Sequence, residues 1–137
     1  MNTECNVTPI ELEADRFEDI AISQGFRVGD FLVVSGQAAS GDGDDPVPPG
    51  DFEAQAHSAF RNLRTVLEAG GSSLENVVKV TIFVTDMSHY ETVVRMRRQY
   101  FSPPYPADTI VEVTALARPE LMIEIEALAA ATAEPVR

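Results

Sequence analysis

The side chains best suited to nucleophilic or metal chemistry are few in this 137-residue sequence, and they lack the neighbours that such chemistry needs. Ser35 stands in Ser35-Gly36-Gln37, which is not the Gly-x-Ser-x-Gly turn that exposes a nucleophilic serine. His57 and His89 each fall on a predicted helix without a second ligand at metal-binding spacing, so surface or cap-adjacent positions are expected. Cys5 is the only cysteine, which excludes an intrachain disulfide and a cysteine-rich zinc site. The sequence therefore predicts neither a covalent serine mechanism nor a metal centre.

Two clusters of charged side chains are candidates for binding ions. Arg95, Arg97 and Arg98 place three of the ten basic residues on one predicted helix. They would form either an anion site or a solvated face with ion pairs, for example between subunits. The three aspartates within residues 42–45 resemble a calcium loop only superficially, because they lie in a turn segment rich in proline and glycine.

Composition and charge limit the classes of partner. Hydrophobic residues make up 45% and charged residues 23%, which is typical of a globular domain. The formal net charge of -12 repels phosphate backbones, so nucleic-acid binding is not expected. Residues 1–5 lack a basic and apolar leader, and no apolar run approaches the roughly 18 residues of a membrane span. A cytoplasmic protein without membrane contact is predicted.

Hydrophobic patterning predicts the element order β, β, α, β, α, β, β. A loosely held arm is expected over residues 1–16, a single domain over 17–130 and a tail over 131–137. Strands or hairpin arms are predicted at 20–24 with 26–28, and further strands at 31–34, 77–84, 109–113 and 121–127. Helices are predicted at 52–69 and from 89 to about 101.

Polar residues at the predicted helix starts indicate how each helix begins. Asp51 is expected to cap the first helix, and Ser88 with Glu91 has capping-box spacing for the second. Ser72 with Glu75 has the same spacing and predicts a single helical turn between them.

Two of the predicted strands are largely apolar on both faces. The run 31–34 suits a strand buried on both sides, and in the strand 77–84 one face carries Val78, Val80, Ile82 and Val84. Two helices would cover one side of the sheet in an α+β layer structure. The other side would then need cover, which self-association through the sheet supplies most simply.

Short sequence motifs along most of the chain match the pattern of one known family. They are Gly29-Asp30-Phe31-Leu32-Val33-Val34-Ser35-Gly36-Gln37, Gln55, Asn62-Leu63, Leu67-Glu68-Ala69-Gly70-Gly71, the run 77–86, Pro106-Ala107 and Ile123-Glu124-Ile125-Glu126-Ala127. Together they resemble the RidA/YjgF family, also labelled L-PSP endoribonuclease-like, across residues 17–130. The resemblance implies a chorismate-mutase-like (YjgF-like) fold, with a mixed β-sheet and two helices on one face, and a homotrimer with a pocket at each subunit interface. It also implies hydrolysis of reactive enamines and imines, such as 2-aminoacrylate, to 2-oxo acids and ammonia, without a metal or organic cofactor.

The resemblance assigns roles to residues at matching positions. Ser35 matches a pocket serine, and Glu124 matches the acid that positions or activates water. The arginine that binds the substrate carboxylate should follow Pro106-Ala107, where this sequence has Asp108. An arginine holds a carboxylate with two charge-assisted hydrogen bonds, whereas an aspartate repels it. Ordinary 2-imino acids are therefore expected to bind poorly, with a roughly hundredfold or larger loss of activity.

Three further substrate-binding positions depart from the family pattern, since Ile22 replaces a tyrosine, Val94 an asparagine and Ile110 a frequent cysteine. Asp108 and Glu124 would form a pair of carboxylates in one cleft, one of them with a raised pKa, that orients water or contacts an amine or iminium. The alternative is that Asp108 only caps a turn. The arginines of the second helix could also replace the missing arginine from a neighbouring subunit.

Two functions from different classes follow. The first is a divergent RidA-like enzyme that hydrolyses or tautomerises an enamine, imine or related small metabolite other than the usual 2-imino acids. The second is a non-catalytic trimer that binds small ligands or protein partners at its interfaces. The ribonuclease activity in the family's label is opposed by the net charge of -12 and by the lack of a basic, aromatic-lined stripe.

Overall fold

A mixed sheet of six strands forms the centre of the protein in a computed structural model that describes residues 6–41 and 47–132. Two helices, α1 (Phe52–Ala69) and α2 (Tyr90–Tyr100), accompany it. Its spatial order is β1-β2-β3-β6-β4-β5, with strands β1 (Val7–Pro9), β2 (Gly25–Val28), β3 (Phe31–Ala38), β4 (Val77–Val84), β5 (Ala107–Glu112) and β6 (Ile123–Ala130). Neighbours are antiparallel except β4 and β5, which are parallel and joined through α2. The predicted α+β architecture is confirmed.

Helix α1 covers one face of the sheet and was predicted correctly. Its apolar stripe packs on β3 and β6, and Phe60, Leu63 and Leu67 are completely buried. The Asp51 carboxylate accepts a hydrogen bond from the Ala54 amide at 3.0 Å, which caps the first turn. Beyond the last turn, Gly71 has φ +84°, a conformation that glycine adopts without strain.

Strand β4 contains a register shift that the sequence pattern did not reveal. Opposite β6 the register shifts between Val77 and Lys79, so Val77 is buried while Val78 is exposed. The other three predicted positions of that face, Val80, Ile82 and Val84, are buried as expected. The prediction for Val78 was wrong because strict alternation cannot show an irregularity that depends on the partner strand.

The sheet face opposite the helices is apolar and open to solvent in the single chain. Phe31 and Val33 on β3 are 52% and 46% exposed, while Leu32 and Val34 are buried under α1. Phe26 lies beside Val33 on that open face. Burial of residues 31–34 on both faces, as predicted, is therefore not achieved within one chain.

The N-terminal segment joins the sheet earlier than the sequence pattern indicated. Strand β1 lies within residues 1–16, which showed no periodicity, and pairs with β2. Ile10, just after it, is buried in the main core. The strand predicted at 20–24 is absent; instead a one-turn 3-10 helix spans Glu18–Ile20, and Ala21 takes the left-handed conformation with φ 60°. Asp15 stabilises this turn by accepting from the Phe17 amide at 2.9 Å, so the segment curls instead of pairing.

Both capping boxes predicted from serine spacing are wrong. Ser72 donates its hydroxyl hydrogen to the Ala130 carbonyl at 2.7 Å and thereby ties the end of α1 to β6. The single turn that follows, Leu74–Asn76, forms without a side-chain cap. Before α2, the Asp86 carboxylate accepts from the Ser88 amide at 2.9 Å and starts the 3-10 turn Met87–His89. This backbone hydrogen bond is the largest influence that lowers the pKa of Asp86.

The remaining elements are present, with shifted ends. The second helix and the fifth strand begin and end within about two residues of the predicted limits. Strand β6 begins two residues late, because the Leu121 amide bonds the Arg118 carbonyl in a turn. It extends to Ala130 because Ala129 and Ala130 still pair with β3. No helix in the described part of the chain is long and apolar enough to span a membrane.

Candidate active site

A cavity of about 430 Å³ lies between α2, β5 and the proline-rich connection that joins them. The helix presents a stripe at three-to-four spacing, and β5 contributes two alternate residues. Asp108 is in register with Val80 and Ile110 with Ile82, so both point to the helix side of the sheet. The lining residues are Tyr90, Val94, Arg97, Arg98, Phe101, Tyr105, Pro106, Asp108 and Ile110. Three residues predicted from sequence, Val94, Asp108 and Ile110, are thus brought together.

Asp108 forms a bidentate ion pair with Arg97 across this cavity. Arg97 donates from Nε to Asp108 Oδ2 and from an Nη to Oδ1, both at 2.8 Å. Burial opposes the charge of Arg97, but the Asp108 carboxylate and the Tyr90 side chain outweigh it and raise the pKa of Arg97. Asp108 therefore does not cap a turn, and its charge is balanced within the same chain. The intrachain partner on α2 was missed because helix and strand register cannot be derived from spacing alone.

Glu124 lies on the opposite face of the sheet. Its neighbours on β6, Ile123 and Ile125, are buried towards the helices, so alternation turns Glu124 away from them. Desolvation by partial burial, followed by repulsion from Glu126, raises the pKa of Glu124. The carboxylate forms no hydrogen bond or ion pair with any other described residue. Gly36 leaves room for it, since a Cβ there would stand 2.7 Å from Glu124 Oε2.

The two carboxylates therefore do not share a cleft within one chain. Asp108 points to α2, whereas Glu124 points to the open face. The hypothesis of an Asp108–Glu124 pair is wrong for the single subunit, because strand alternation places them on opposite sides of one sheet.

Ser35 and Ile22 do not line the cavity that contains Asp108; Ser35 instead directly precedes Gly36, which lies against Glu124. Ser35 occupies the bulge of β3 between Val34 and Gln37, directly before Gly36. Its hydroxyl donates to the Ser23 carbonyl at 2.6 Å and thus holds the residue after Ile22 against β3. Ile22 is 45% exposed. The residues predicted for one site are consequently divided between two places on the chain.

Two consecutive hydrogen bonds through buried glutamine side chains hold the segment that carries Ile22. Gln37 donates from Nε2 to Gln24 Oε1 at 3.1 Å, and Gln24 donates from Nε2 to Asp15 Oδ1 at 2.9 Å. Gln24 and Gln37 are both buried, so each hydrogen bond compensates for lost hydration. These two hydrogen bonds tie the segment that carries Ile22 to β3.

Three aromatic residues of the cavity were not singled out from sequence. Tyr90 and Phe101 extend the helical stripe of Val94 and Arg97, and Tyr105 lies in the proline-rich connection. The signal that could have revealed them is the spacing 90, 94, 97 and 101, which marks one face of α2.

Each histidine contacts an aromatic side chain, and both are partly buried. His57 Nδ1 lies 2.6 Å from the Tyr100 hydroxyl, and His89 stacks on Phe52 with ring centroids 4.1 Å apart. Among the residues that the structure describes, no group of three His, Cys, Asp or Glu side chains could hold a metal ion. Cys5 and the three aspartates within 42–45 lie outside the described residues.

The fold and this cavity define a small α+β protein with a cavity, partly lined by charged side chains, beside the helix that joins two parallel strands. Comparison with known proteins is consistent with that class. The profile of the family Endoribonuclease L-PSP matches residues 18–131, and the chain belongs to this family, the RidA/YjgF family.

Similar proteins include members named for imine chemistry. The chain is 35% identical to the mouse 2-iminobutanoate/2-iminopropanoate deaminase, over 78% of each chain. It is 39% identical to the RutC family protein YjgH of Escherichia coli, over 75% of this chain and 79% of that one.

Solved structures agree with the fold. Rv2704 from Mycobacterium tuberculosis, a member of the YjgF/YER057c/UK114 family, superimposes with a TM-score of 0.77 at 34% identity, covering 91% of this chain and 99% of that one. RidA from an Antarctic Psychrobacter gives a TM-score of 0.73 at 34% identity, over 80% of this chain and 87% of its own.

Proposed function

We propose that this protein hydrolyses or tautomerises an enamine, an imine or a related small metabolite, and that its substrates are not the ordinary 2-imino acids. The observation that carries the proposal is the Arg97–Asp108 ion pair, which stands where the family pattern has the carboxylate-binding arginine. Relatives that are 30% and 35% identical are named 2-iminobutanoate/2-iminopropanoate deaminases, which supports imine chemistry. The reversed charge at position 108 supports a different substrate, since Asp108 occupies the guanidinium of Arg97 and leaves no free guanidinium at this position to bind a carboxylate.

Glu124 is the proposed acid and base. In hydrolysis, the carboxylate takes a proton from water as the oxygen bonds to the imine carbon, and it passes this proton to the nitrogen, which gives a carbinolamine. It then takes the hydroxyl proton of the carbinolamine and gives it to the nitrogen as the C–N bond breaks, which forms the C=O group and releases ammonia. A raised pKa suits both steps, because it brings the group nearer to the working pH. Ser35 and Ile22 would line the same part of the site, with Ser35 acting chiefly by holding the segment that carries Ile22.

A homotrimer would join the two halves of the site. The cavity and Glu124 lie on opposite faces of one sheet, so only another copy could bring a second Glu124 to the cavity. The exposed apolar face that includes Phe31 and Val33 supports such an assembly. Trimer formation, a ligand at the subunit interface and a cytoplasmic location remain predictions, as does the lack of nucleic-acid binding.

The test measures ammonia release from two kinds of imine. Imines generated in situ by an amine oxidase from primary amines without an α-carboxylate should be hydrolysed, and Glu124→Gln should abolish this. With enzymatically generated 2-aminoacrylate, wild type should be about a hundredfold slower than the mouse relative, as expected for a reversed charge contact.

Variants locate the cause of that difference. Arg97→Gln combined with Asp108→Arg moves an unpaired guanidinium to β5, and it should raise turnover of 2-aminoacrylate about tenfold or more. Arg95→Gln is the matched control, because Arg95 is on the same helix but pairs with Glu53 outside the cavity. Wild-type turnover of 2-aminoacrylate at the rate of the mouse relative would contradict the proposal.

A non-catalytic trimer that binds small ligands or protein partners is the second candidate. One observation favours it: the hydroxyl hydrogen of Ser35 is already donated to the Ser23 carbonyl. If no imine is turned over by wild type while small ligands still raise its melting temperature, this second function is supported.

A further inference from the structure

We propose that Arg98 binds the anionic group of the ligand in the cavity beside α2, and that the ligand is an imine or enamine whose anionic group is not attached to the imine carbon. The imine part of this inference rests on the proposed function. The anion site itself rests on the charges and contacts of the cavity walls.

Within one chain, the cavity walls carry a surplus of positive charge. Two guanidinium groups, Arg97 and Arg98, face one carboxylate, Asp108. The whole chain has a formal net charge of -12, so a positive wall is a local exception to the average field. These walls therefore favour an anion in the cavity, although the average charge of the chain is negative.

The three arginines of α2 differ in what they contact. Arg95 donates to Glu53 at 3.0 Å, and Arg97 is held by both oxygens of Asp108. Arg98 lines the cavity, is exposed, and has no hydrogen bond or ion pair within residues 6–41 and 47–132. Its guanidinium is thus the one of the three that is available to form charge-assisted hydrogen bonds with a ligand.

The remaining walls favour an apolar body. Val94, Phe101 and Ile110 provide aliphatic and aromatic surface, and Tyr90 and Tyr105 add rings with hydroxyl groups. The volume of about 430 Å³ lies within the range of small-molecule sites, which combine apolar walls with a few polar groups. A carboxylate joined to an aromatic or branched aliphatic group matches these walls.

The position of the anion site determines the substrate class. In a 2-imino acid the carboxylate is bonded to the carbon of the C=N group. The family pattern has its carboxylate-binding arginine at position 108, where Asp108 instead holds the guanidinium of Arg97, so no free guanidinium there can bind that anion. In the ligand proposed for Arg98, the anionic group is not bonded to the imine carbon, and at least one further atom lies between them.

The experiment measures binding without turnover. Isothermal titration calorimetry would compare 3-phenylpropanoate with 3-phenylpropanamide, which has nearly the same shape but no charge. Wild type should bind the carboxylate about tenfold or more tightly than the amide, as one charge-assisted contact predicts. Arg98→Gln should remove this preference and leave the affinity for the amide unchanged, while Arg98→Lys should keep part of it.

Arg95→Gln is again the matched control, and it should bind both compounds as wild type does. Equal affinity of wild type for acid and amide would overturn the proposal, and so would a carboxylate preference that survives Arg98→Gln. Because ammonia release is measured separately, an inactive protein that still shows the preference contradicts the proposed enzyme and leaves the anion site standing. An active enzyme that binds acid and amide equally well contradicts the anion site and leaves the proposed enzyme activity standing.

Discussion

At the scale of single residues, ion pairs on α2 differ in how far they are removed from water. The side chains of Arg97 and Asp108 are 19% and 20% exposed, whereas those of Arg95 and Glu53 are 56% and 49% exposed. Solvent screens the second pair more strongly, and only the first uses two parallel hydrogen bonds. The two pairs should therefore contribute unequally to stability.

A double-mutant cycle tests this difference. Arg97→Gln and Asp108→Asn, alone and together, should give a coupling free energy of about 1–2 kcal/mol, within the range for residues in contact. The cycle with Arg95→Gln and Glu53→Gln should give about 0.5 kcal/mol or less. Urea unfolding at low salt supplies the free energies of unfolding, and equal coupling in both cycles would contradict the argument.

The raised pKa of Glu124 has a consequence for stability. The folded state disfavours the charged carboxylate, so it binds more protons than the unfolded state between the ordinary value of 4.5 and the raised pKa. The free energy of unfolding should therefore fall as pH rises through this window. Replacing Glu124 by Gln should raise the melting temperature above the window and have little effect below it.

Melting curves from about pH 4 to pH 8 check this expectation, because that range brackets the titration of a carboxyl with a raised pKa. Glu91→Gln is the control, since Glu91 is exposed on α2 and its replacement changes the net charge of the chain equally. A similar rise in the melting temperature of Glu91→Gln would show that the overall charge of the chain, and not the environment of Glu124, causes the stabilisation.

At the scale of elements, the sequence predicted the helices and strands that have a regular hydrophobic period. It missed the segments whose conformation depends on contacts with distant residues. The apolar stripe of α1 and its Asp51 cap were predicted because they are local. Strand β1 has no alternation of burial, and Ile20 and Ile22 looked like strand residues although both are exposed. The turn that carries Ile20 depends on Asp15, and β1 depends on its pairing with β2; the spacing of apolar residues shows neither contact.

The same limit applies to the candidate site. Val94, Asp108 and Ile110 could be grouped because they match positions of a family pattern, and the structure places them around one cavity. The pairing of Asp108 with Arg97 could not be predicted, since it depends on how α2 lies on β5.

The N-terminal segment should contribute to stability through Ile10. Its side chain is buried among Leu32 and the end of α1, so Ile10→Ala should lower the free energy of unfolding by about 2–5 kcal/mol. Val7→Ala, at a half-exposed position on β1, should lower it by less than about 1 kcal/mol. Denaturant unfolding of both variants compares them, and an unaffected Ile10→Ala would show that residues 6–10 are only loosely attached.

At the scale of the whole molecule, the sheet separates two environments. One face is filled by α1 and α2, and the other presents Phe26, Phe31, Val33 and Leu128 to solvent. Neighbouring strands place these side chains side by side, so they form one apolar surface and not isolated exposed residues.

A charge in the middle of that surface should prevent the proposed assembly. Val33→Glu should convert a particle of about three times 14.9 kDa into a single subunit in size-exclusion chromatography with light scattering. It should also abolish imine hydrolysis, because the cavity then lacks the second copy's Glu124. Ile20→Glu is the control, since Ile20 is exposed outside the sheet. A wild-type protein that elutes as one subunit would contradict the trimer.

The parallel pairing of β4 with β5 has a consequence for how such proteins diversify. Arg97, Arg98 and Asp108 all lie in one continuous stretch, residues 77–112, that comprises β4, α2 and β5. A change of ligand preference can therefore arise by exchange within one βαβ unit while the rest of the chain stays constant. Transplanting this stretch into a relative would carry both the ion pair and Arg98 with it, so natural recombination or deliberate grafting could move the proposed anion preference as a single heritable unit.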